Sequence, residues 1–419
     1  MSAKRIAIIG GGVIGLCTAY YAAERGYRVT VFDRASEEDR GCSYGNAGMI
    51  TPSHFVPLAA PGAIRLALKW MWNPESPFYM KPRLDRRLME WAWRFRQAAT
   101  AGHVKASAPL LLQLNMAGRG CFEQLSREWG DAFGLTPKGI IMICNTEEGL
   151  EHEMATAAMG RALGLPVETL DAKQLAAMEP GLSVRAAGGI YFPMDAYLTP
   201  ERFMIALIKR LRERGVDLAW NTSVTGWRAG TGRRIDAVMT ARGAVEADEF
   251  VICGGAWTGE IARQLNLRLP MQAGKGYSLT LPRPRKLPEH AMILSEARVA
   301  VTPMGSALRF GGTMEITGTD RSINPARVRG IVKGVSKYLP DFTADDFQDV
   351  QPWAGLRPCS PDGLPYIGRF ASLANLSVAA GHAMMGLSLG PITGKLMSEL
   401  LSGETPSIPL KQLSPDRYA

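Results

Sequence analysis

The sequence predicts an α/β protein built around a Rossmann-like dinucleotide-binding sheet, and three observations lead there. Its first thirty-four residues read strand, glycine turn, helix, strand. A strand running into a glycine turn and a helix returns near residue 250 and again near residue 380. With 419 residues, the chain is long enough for two domains.

"KRIAIIGGGVIGLCTAYYAAERGYRVTVFDR" (4–34) is the most informative stretch. The apolar run "RIAIIG" reads as a buried parallel strand, and "LCTAYYAAERG" carries helical spacing up to Gly26. Between them stands Gly10-x-Gly12-x-x-Gly15: Gly10 for the tight turn, Gly12 for close approach of a pyrophosphate, Gly15 for helix–strand contact. The helix N-terminus offers free amides and a positive dipole to phosphates. "RVTVFD" is a second strand ending in Asp33, where a carboxylate can accept both ribose hydroxyls.

This fingerprint alone does not separate FAD from a nicotinamide. The small-residue loop "GCSYGNAGMITPSH" (41–54) follows, able to bring backbone close to a flat ring and pyrophosphate at Ser43, Asn46, Ala47 and Gly48. "DLAWNTSVTGW" (217–227) reads as one strand in which Val224 meets the adenine. "RGAVEADEFVICGGAWTGEIA" gives a strand, the Gly254-Gly255 turn and a helix opening. "LSVAAGHAMMGLSLGPITGKLMSELLSG" (376–403) reads as a strand, a glycine loop and a helix of about two dozen residues. Nucleotide-type segments at the start, middle and end of the chain favour FAD.

The net charge of +9 points to acidic partners, but the basic residues are dispersed and no nucleic-acid reading module accompanies them. Six cysteines without a C-x-x-C pair or a nearby histidine cluster argue against a metal site and against a disulfide framework. No apolar run approaches a membrane span and no signal peptide is evident, so the expectation is a cytoplasmic protein, with association at the inner face of a membrane as an extension. Segment 55–100 carries four of the nine tryptophans, Trp70, Trp72, Trp91 and Trp93, among arginines and lysines, as an interfacial helix or a lid would; burial in the protein is the alternative.

At these motifs the sequence resembles the D-amino-acid oxidase/glycine oxidase superfamily of FAD oxidoreductases, most of all its bacterial D-amino-acid dehydrogenase (small subunit) branch. The resemblance spans nearly the whole chain and rests on the fingerprint at 10–15, "CSYGNAGMITP" (42–52), "CGGAWT" (253–258), "KGYSLTL" (275–281), "GLRP…DGLPYIG" (355–368) and "GHAMMGLSLGPITG" (381–394). It implies a discontinuous, GR2-type FAD domain at 1–57, 196–268 and 351–419. Segments 58–195 and 269–350 would then form an α+β substrate domain on a mostly antiparallel sheet. Local signals agree: "KGYSLTL", "GIIMIC" (139–144) and a hairpin around Met304-Gly305 read as strands, while 107–130 and 201–215 have helical periodicity. The expected cofactor-binding set is Gly10, Gly12, Val13, Ile14, Gly15, Asp33, Arg34, Ser43, Asn46, Ala47, Gly48, Met49, Val224, Gly254, Gly255, Trp257, Gly381, Met385, Gly386 and Leu387. Met384 and Met385, after the Gly-His pair, and His54 depart from the family pattern near the substrate pocket, which leaves the substrate open.

The implied chemistry is oxidation of a small D-amino or cyclic imino acid, hydroxyproline among the latter, by hydride transfer from Cα to flavin N5. The resulting imine hydrolyses to a 2-oxo acid or stays cyclic. Such a reaction asks for orientation more than for acid–base groups. Arg357 in "GLRP" is the expected clamp on the substrate carboxylate, a planar fork of donors stiffened by Pro358. Tyr277, His54 and His382 are the other candidate substrate contacts; each has a structural alternative, as does Lys275. A quinone or respiratory carrier is the expected electron acceptor. Alternatives left open are an O2-using glycine/sarcosine-type oxidase, a nicotinamide-dependent enzyme and a non-catalytic flavoprotein subunit.

Overall fold

A computed structural model describes residues 3–39 and 41–419. At its centre, β1 (Arg5–Ile9) lies between β2 (Arg28–Phe32) and the strand Glu249–Ile252, parallel to both. The sheet continues to Asp217–Ala219 beyond β2, and on the other side to Leu376–Ala380 and an antiparallel edge strand, Tyr366–Arg369. Both faces are covered, which is why the strands read as unbroken apolar runs. Alternate residues of β1 serve the two faces. Ile6 and Ile8 pack with α1 (Val13–Glu24) and the helices Pro200–Glu213 and Gly390–Ser402; Ala7 and Ile9 pack toward the three-stranded sheet that contains Trp227 and Val238.

The second sheet has nine strands. Its middle is the antiparallel run Gln272–Leu281, Ala307–Ile316, Val299–Met304 and Ala291–Leu294, which includes the expected hairpin. Ile140–Cys144 joins Ala291–Leu294 in parallel, and Phe78–Met80 pairs in parallel with the last residues of Ala307–Ile316. The helix Pro325–Tyr338, started by an Asn324 cap, closes one face through Ile331 and Val335.

Three local expectations differ from the structure. The C-terminal helix is 13 residues long, Gly390–Ser402; Pro391 sits in its first turn, where a missing N–H costs nothing, and 383–385 is a separate single turn. Segment 217–227 holds two strands in two different sheets, divided where Asn221 takes φ +53°. Trp353–Cys359, in the segment 351–419 expected in the FAD domain, pairs antiparallel with Gln272–Leu281 as an edge of the nine-stranded sheet. That last pairing carries Arg357 to the boundary between the two sheets.

Candidate active site

A cavity of about 1940 Å³ opens between the sheets, lined from β1 to the loop after Leu376–Ala380. That volume exceeds what one small substrate needs and leaves room for a dinucleotide beside it.

The nucleotide end is made by close approaches of backbone. Gly10 has φ +120°, and a Cβ there would lie 2.3 Å from the Cys253 carbonyl oxygen. A Cβ on Gly15 would fall 1.9 Å from the Gly10 carbonyl oxygen. Only glycine lets the turn, α1 and the strand Glu249–Ile252 meet so tightly. The Asp33 carboxylate is fixed at the end of β2 by accepting from the amides of Gly11 at 2.6 Å and Ala35 at 2.8 Å. Ser43 Oγ accepts from Val13 N–H at 3.0 Å, tying the loop 41–48 to the start of α1. The loop is held by Asn46 Oδ1, which accepts from Gly48 N–H at 2.8 Å. Buried Arg309 donates to the carbonyls of Tyr44 and Asn46 at 3.0 and 2.9 Å and pairs with Glu201. Arg34 stacks over Trp257, its guanidinium carbon 4.2 Å from the ring centroid.

Of the expected cofactor residues, Gly10, Gly12, Val13, Ile14, Asp33, Arg34, Ser43, Asn46, Ala47, Met49, Val224, Gly254, Gly255, Trp257, Met385, Gly386 and Leu387 line the cavity. Gly15, Gly48 and Gly381 do not. Gly15 sits behind the turn, Gly48 (φ +76°) lies against the Leu198 carbonyl, and Gly381 (φ +81°) lies against the Tyr366 ring. They shape the wall from behind. The glycine turn, the helix N-terminus and the fixed acid fit an FAD.

Arg357 lines the same cavity. The guanidinium lies over Gly276, where a Cβ would be 2.1 Å from Nη1. It donates to the Thr313 carbonyl at 2.8 Å, and no carboxylate pairs with it among the described residues. Burial holds its pKa below the usual range, and the groups that oppose this are two thiols, Cys42 and Cys359. An arginine keeps its charge under such conditions. The site therefore holds a half-buried guanidinium that, among the described residues, has no carboxylate partner.

Tyr277 is not a second donor to that site. It is packed in the core of the nine-stranded sheet, and its hydroxyl donates to Glu315, whose charge together with burial pushes the phenol far up. Gly276 faces the guanidinium, while Tyr277 lines the cavity and turns its hydroxyl to Glu315. Lys275 joins the same buried group at 3.4 Å from Glu315. His382 is neutral, lowered to about 3 by burial, with Nε2 on Thr393 Oγ1 at 3.0 Å. His54 lines the cavity and is also neutral, lowered to about 4 by burial and by Arg298. Met384 is exposed, while Met385 is buried, its sulfur 3.6 Å from Asn115 Nδ2.

Four residues that carry the site were not singled out from sequence: Gly276, Ser53, Asn115 and Asp195. Gly276 stands inside the quoted "KGYSLTL", so its motif was visible but its role was not. Asn115 and Asp195 lie far along the chain from the loop they fix. Asn115 donates to the carbonyls of Leu111 and His54 and accepts from Ser388 Oγ, and Asp195 accepts from Ser53. No local pattern marks them.

Comparison with known proteins agrees with this geometry. Over residues 5–400 the chain matches the family model described as FAD dependent oxidoreductase. It is 31% identical to a D-amino acid dehydrogenase of Granulibacter bethesdensis, over 99% of this chain and 100% of that one. Identity is 32% to the Methylobacterium radiotolerans protein of the same description, over 99% of each. Among solved structures, glycine oxidase from Geobacillus kaustophilus superposes with a TM-score of 0.80 at 25% identity, covering 100% of both chains. L-proline dehydrogenase from P. horikoshii shares the fold, with a TM-score of 0.74 at 18% identity over 100% of this chain and 98% of that one. With the glycine cradle, the fixed acid and a match along nearly its full length, the chain belongs to the FAD dependent oxidoreductase family.

Proposed function

We propose that this enzyme is a dehydrogenase of small D-amino or cyclic imino acids, hydroxyproline among the latter, and that Arg357 binds the substrate carboxylate. One observation carries the reading: a half-buried, cavity-facing guanidinium with one carbonyl acceptor and no carboxylate partner among the described residues. A bidentate carboxylate supplies the missing charge and fixes the plane of the substrate at once. The curated relatives named D-amino acid dehydrogenase support the donor class.

The residues that would hold FAD are those of the glycine turn, Asp33, Ser43 and the loop 383–387. When bound, the flavin supplies the hydride acceptor for the substrate Cα–H. The chain's own contribution is position. Arg357 fixes the carboxylate, Gly276 leaves the space in which that guanidinium lies, and the apolar walls around Met385 and Leu387 limit competing poses.

Electron transfer to a quinone or respiratory carrier at a membrane face is the second part of the proposal. Its support is a surface of α2 (Ala63–Trp70) and α3 (Arg86–Ala98), where Leu68, Trp72 and Trp93 are 60%, 90% and 59% exposed amid Arg65, Lys69, Arg86 and Arg87. Of the four tryptophans in the segment, Trp91 is the fully buried one, donating to the Cys359 carbonyl at 2.9 Å. No helix among the described residues is long and apolar enough to cross a membrane.

The test is anaerobic bleaching of the yellow holoenzyme by a panel of D-, L- and N-methyl amino acids and both hydroxyproline series. Bleaching by D-amino or cyclic imino acids is expected, with dye-linked turnover far above oxygen-linked turnover. A panel that bleaches nothing, or turnover that depends on O2 alone, overturns the reading.

A further inference from the structure

The wall of the cavity that Arg357 lines also carries a hydrogen-bonded chain that carboxylate binding does not use. His54 Nδ1 is 3.1 Å from Ser53 Oγ, and Ser53 Oγ is 2.5 Å from Asp195 Oδ2. A second bond, Ser53 N–H to Asp195 Oδ1 at 2.9 Å, fixes the carboxylate against the loop. Ser53 and His54 line the cavity; Asp195 lies behind them, fully buried. The serine has one proton to give, and the carboxylate can only accept. Its oxygen therefore accepts from His54 Nδ1–H, which leaves the Nε2 lone pair for the cavity. Asn115 Nδ2, 3.4 Å from the His54 carbonyl, steadies the loop from α4 (Ala101–Trp129).

We infer that His54, Ser53 and Asp195 form a proton relay that takes the ammonium proton of the bound amino acid. The inference rests on the amino-acid reading of the cavity. An amino acid arrives as its zwitterion, and only the neutral amine has a lone pair to form the C=N bond. In the relay an N–H bond of the ammonium breaks as Nε2–H forms, Nδ1–H passes to Ser53 Oγ, and the serine proton passes to Asp195 Oδ2. One cation and one carboxylate become a neutral amine and a neutral carboxyl, with no change in electron count. His54 is the group that meets the substrate; Ser53 and Asp195 act through it as positioning residues and proton sink.

The surroundings favour this direction. Burial and Arg298 lower His54 to about 4, so an imidazolium would not persist in the wall. Burial raises Asp195 to about 7 against the bonds from Ser53 and the charge of Arg119, so the proton rests at the far end. Arg119 is itself paired with Glu123 at 3.0 Å. Other charged or titratable groups that line the cavity include Glu148, His152 and Glu153 on the helix Glu147–Ala162, and Arg357.

The test measures kcat/KM for D-alanine against pH in the holoenzyme and in Asp195→Asn, Ser53→Ala and His54→Gln. The parent's ascending limb is expected at about 7 and, in each variant, to move up toward the pKa of the free amine, with the deficit against the parent shrinking as pH rises. Asp195→Asn keeps an acceptor for the serine, so a purely structural role would leave the limb in place; if Asp195→Asn does not fold, the other two variants decide. A second readout needs no turnover. Infrared difference spectra of dithionite-reduced holoenzyme should show a protonated-carboxyl band when D-alanine is added. Propanoate, which has no amine, should not produce it, nor should D-alanine with Asp195→Asn. Coincident limbs, or no such band in the parent, overturn the relay while D-alanine still bleaches the flavin. If D-alanine bleaches the parent at no pH, the amino-acid reading falls and the relay with it.

Discussion

Arg327, buried, and Arg357, half-buried at the cavity wall, stand near the same nine-stranded sheet, and their surroundings differ sharply. Arg327 donates to Glu315 at 3.2 Å, to the Ser76 carbonyl and hydroxyl at 2.7 and 2.9 Å, and to the Asn73 carbonyl at 3.1 Å. Glu315 in turn takes Lys275 and the Tyr277 hydroxyl. Every charge there has a partner inside the protein. Arg357 has one carbonyl and an open cavity. A buried charge that is satisfied by the fold holds the fold together; one left unsatisfied waits for a ligand.

The largest expected effect breaks the unsatisfied member. Arg357→Ala should lower kcat/KM for an amino-acid substrate by two to nearly four orders of magnitude, from the loss of about 3–5 kcal/mol for a buried charge pair. Colour and thermal midpoint should stay near the parent's. Arg357→Lys keeps charge but not the planar fork, and a loss of about ten- to a hundredfold is expected. Loss of flavin together with stability in Arg357→Ala would make this arginine a second Arg327.

The satisfied member should respond the opposite way. Arg327→Met strands Glu315 beside Lys275 and removes three bonds to the 73–76 turn, so the fold should lose about 3–5 kcal/mol. The readout is a lowered unfolding midpoint, with kcat/KM of the protein that remains folded little changed. A variant as stable as the parent would show that Lys275 and Tyr277 alone satisfy Glu315.

Gly276→Ala sharpens the contrast without touching either arginine. The new methyl would lie 2.1 Å from Nη1, so the guanidinium must move off its place above the strand. A shift of this kind in a positioning group should cost about ten- to a hundredfold in kcat/KM, with FAD retained. A variant with parental kinetics would show that the guanidinium has a second, equally good position.

How far all this was legible in sequence depends on how local the signal is. The glycine turn, α1 and Asp33 lie within one unit of chain, and their spacing states their geometry. Arg357 drew attention because Pro358 and the adjacent glycines promise a stiff, irregular turn; the stretch is instead the strand Trp353–Cys359. Tyr277 lines the cavity as one of its expected roles, but sequence alone does not say that its hydroxyl is taken by Glu315. The chain from His54 to Asp195 was hidden for another reason: 142 positions separate Ser53 from Asp195, and only the pairing of β3 (Met49–Ile50) with Ala196–Tyr197 brings them together. The C-terminal helix was read too long because an apolar loop packed against α1 carries the same composition as a helix.

The smallest expected effect on the fold falls on the surface that neither arginine reaches. Trp72 is 90% exposed just after α2, a helix with no buried residue, so Trp72→Ser removes no internal packing. Stability should change by no more than about 0.5 kcal/mol, and dye-linked kcat/KM should match the parent's. If the face meets a membrane, the aromatic ring enters the interface while Arg65 and Lys69 meet anionic headgroups. Sedimentation with anionic vesicles should then weaken about tenfold in the variant, a change of about 1.4 kcal/mol, and fall further in high salt for both proteins. A parent that never sediments with anionic vesicles would leave this face without a membrane role, and the electron acceptor would have to be reached in solution.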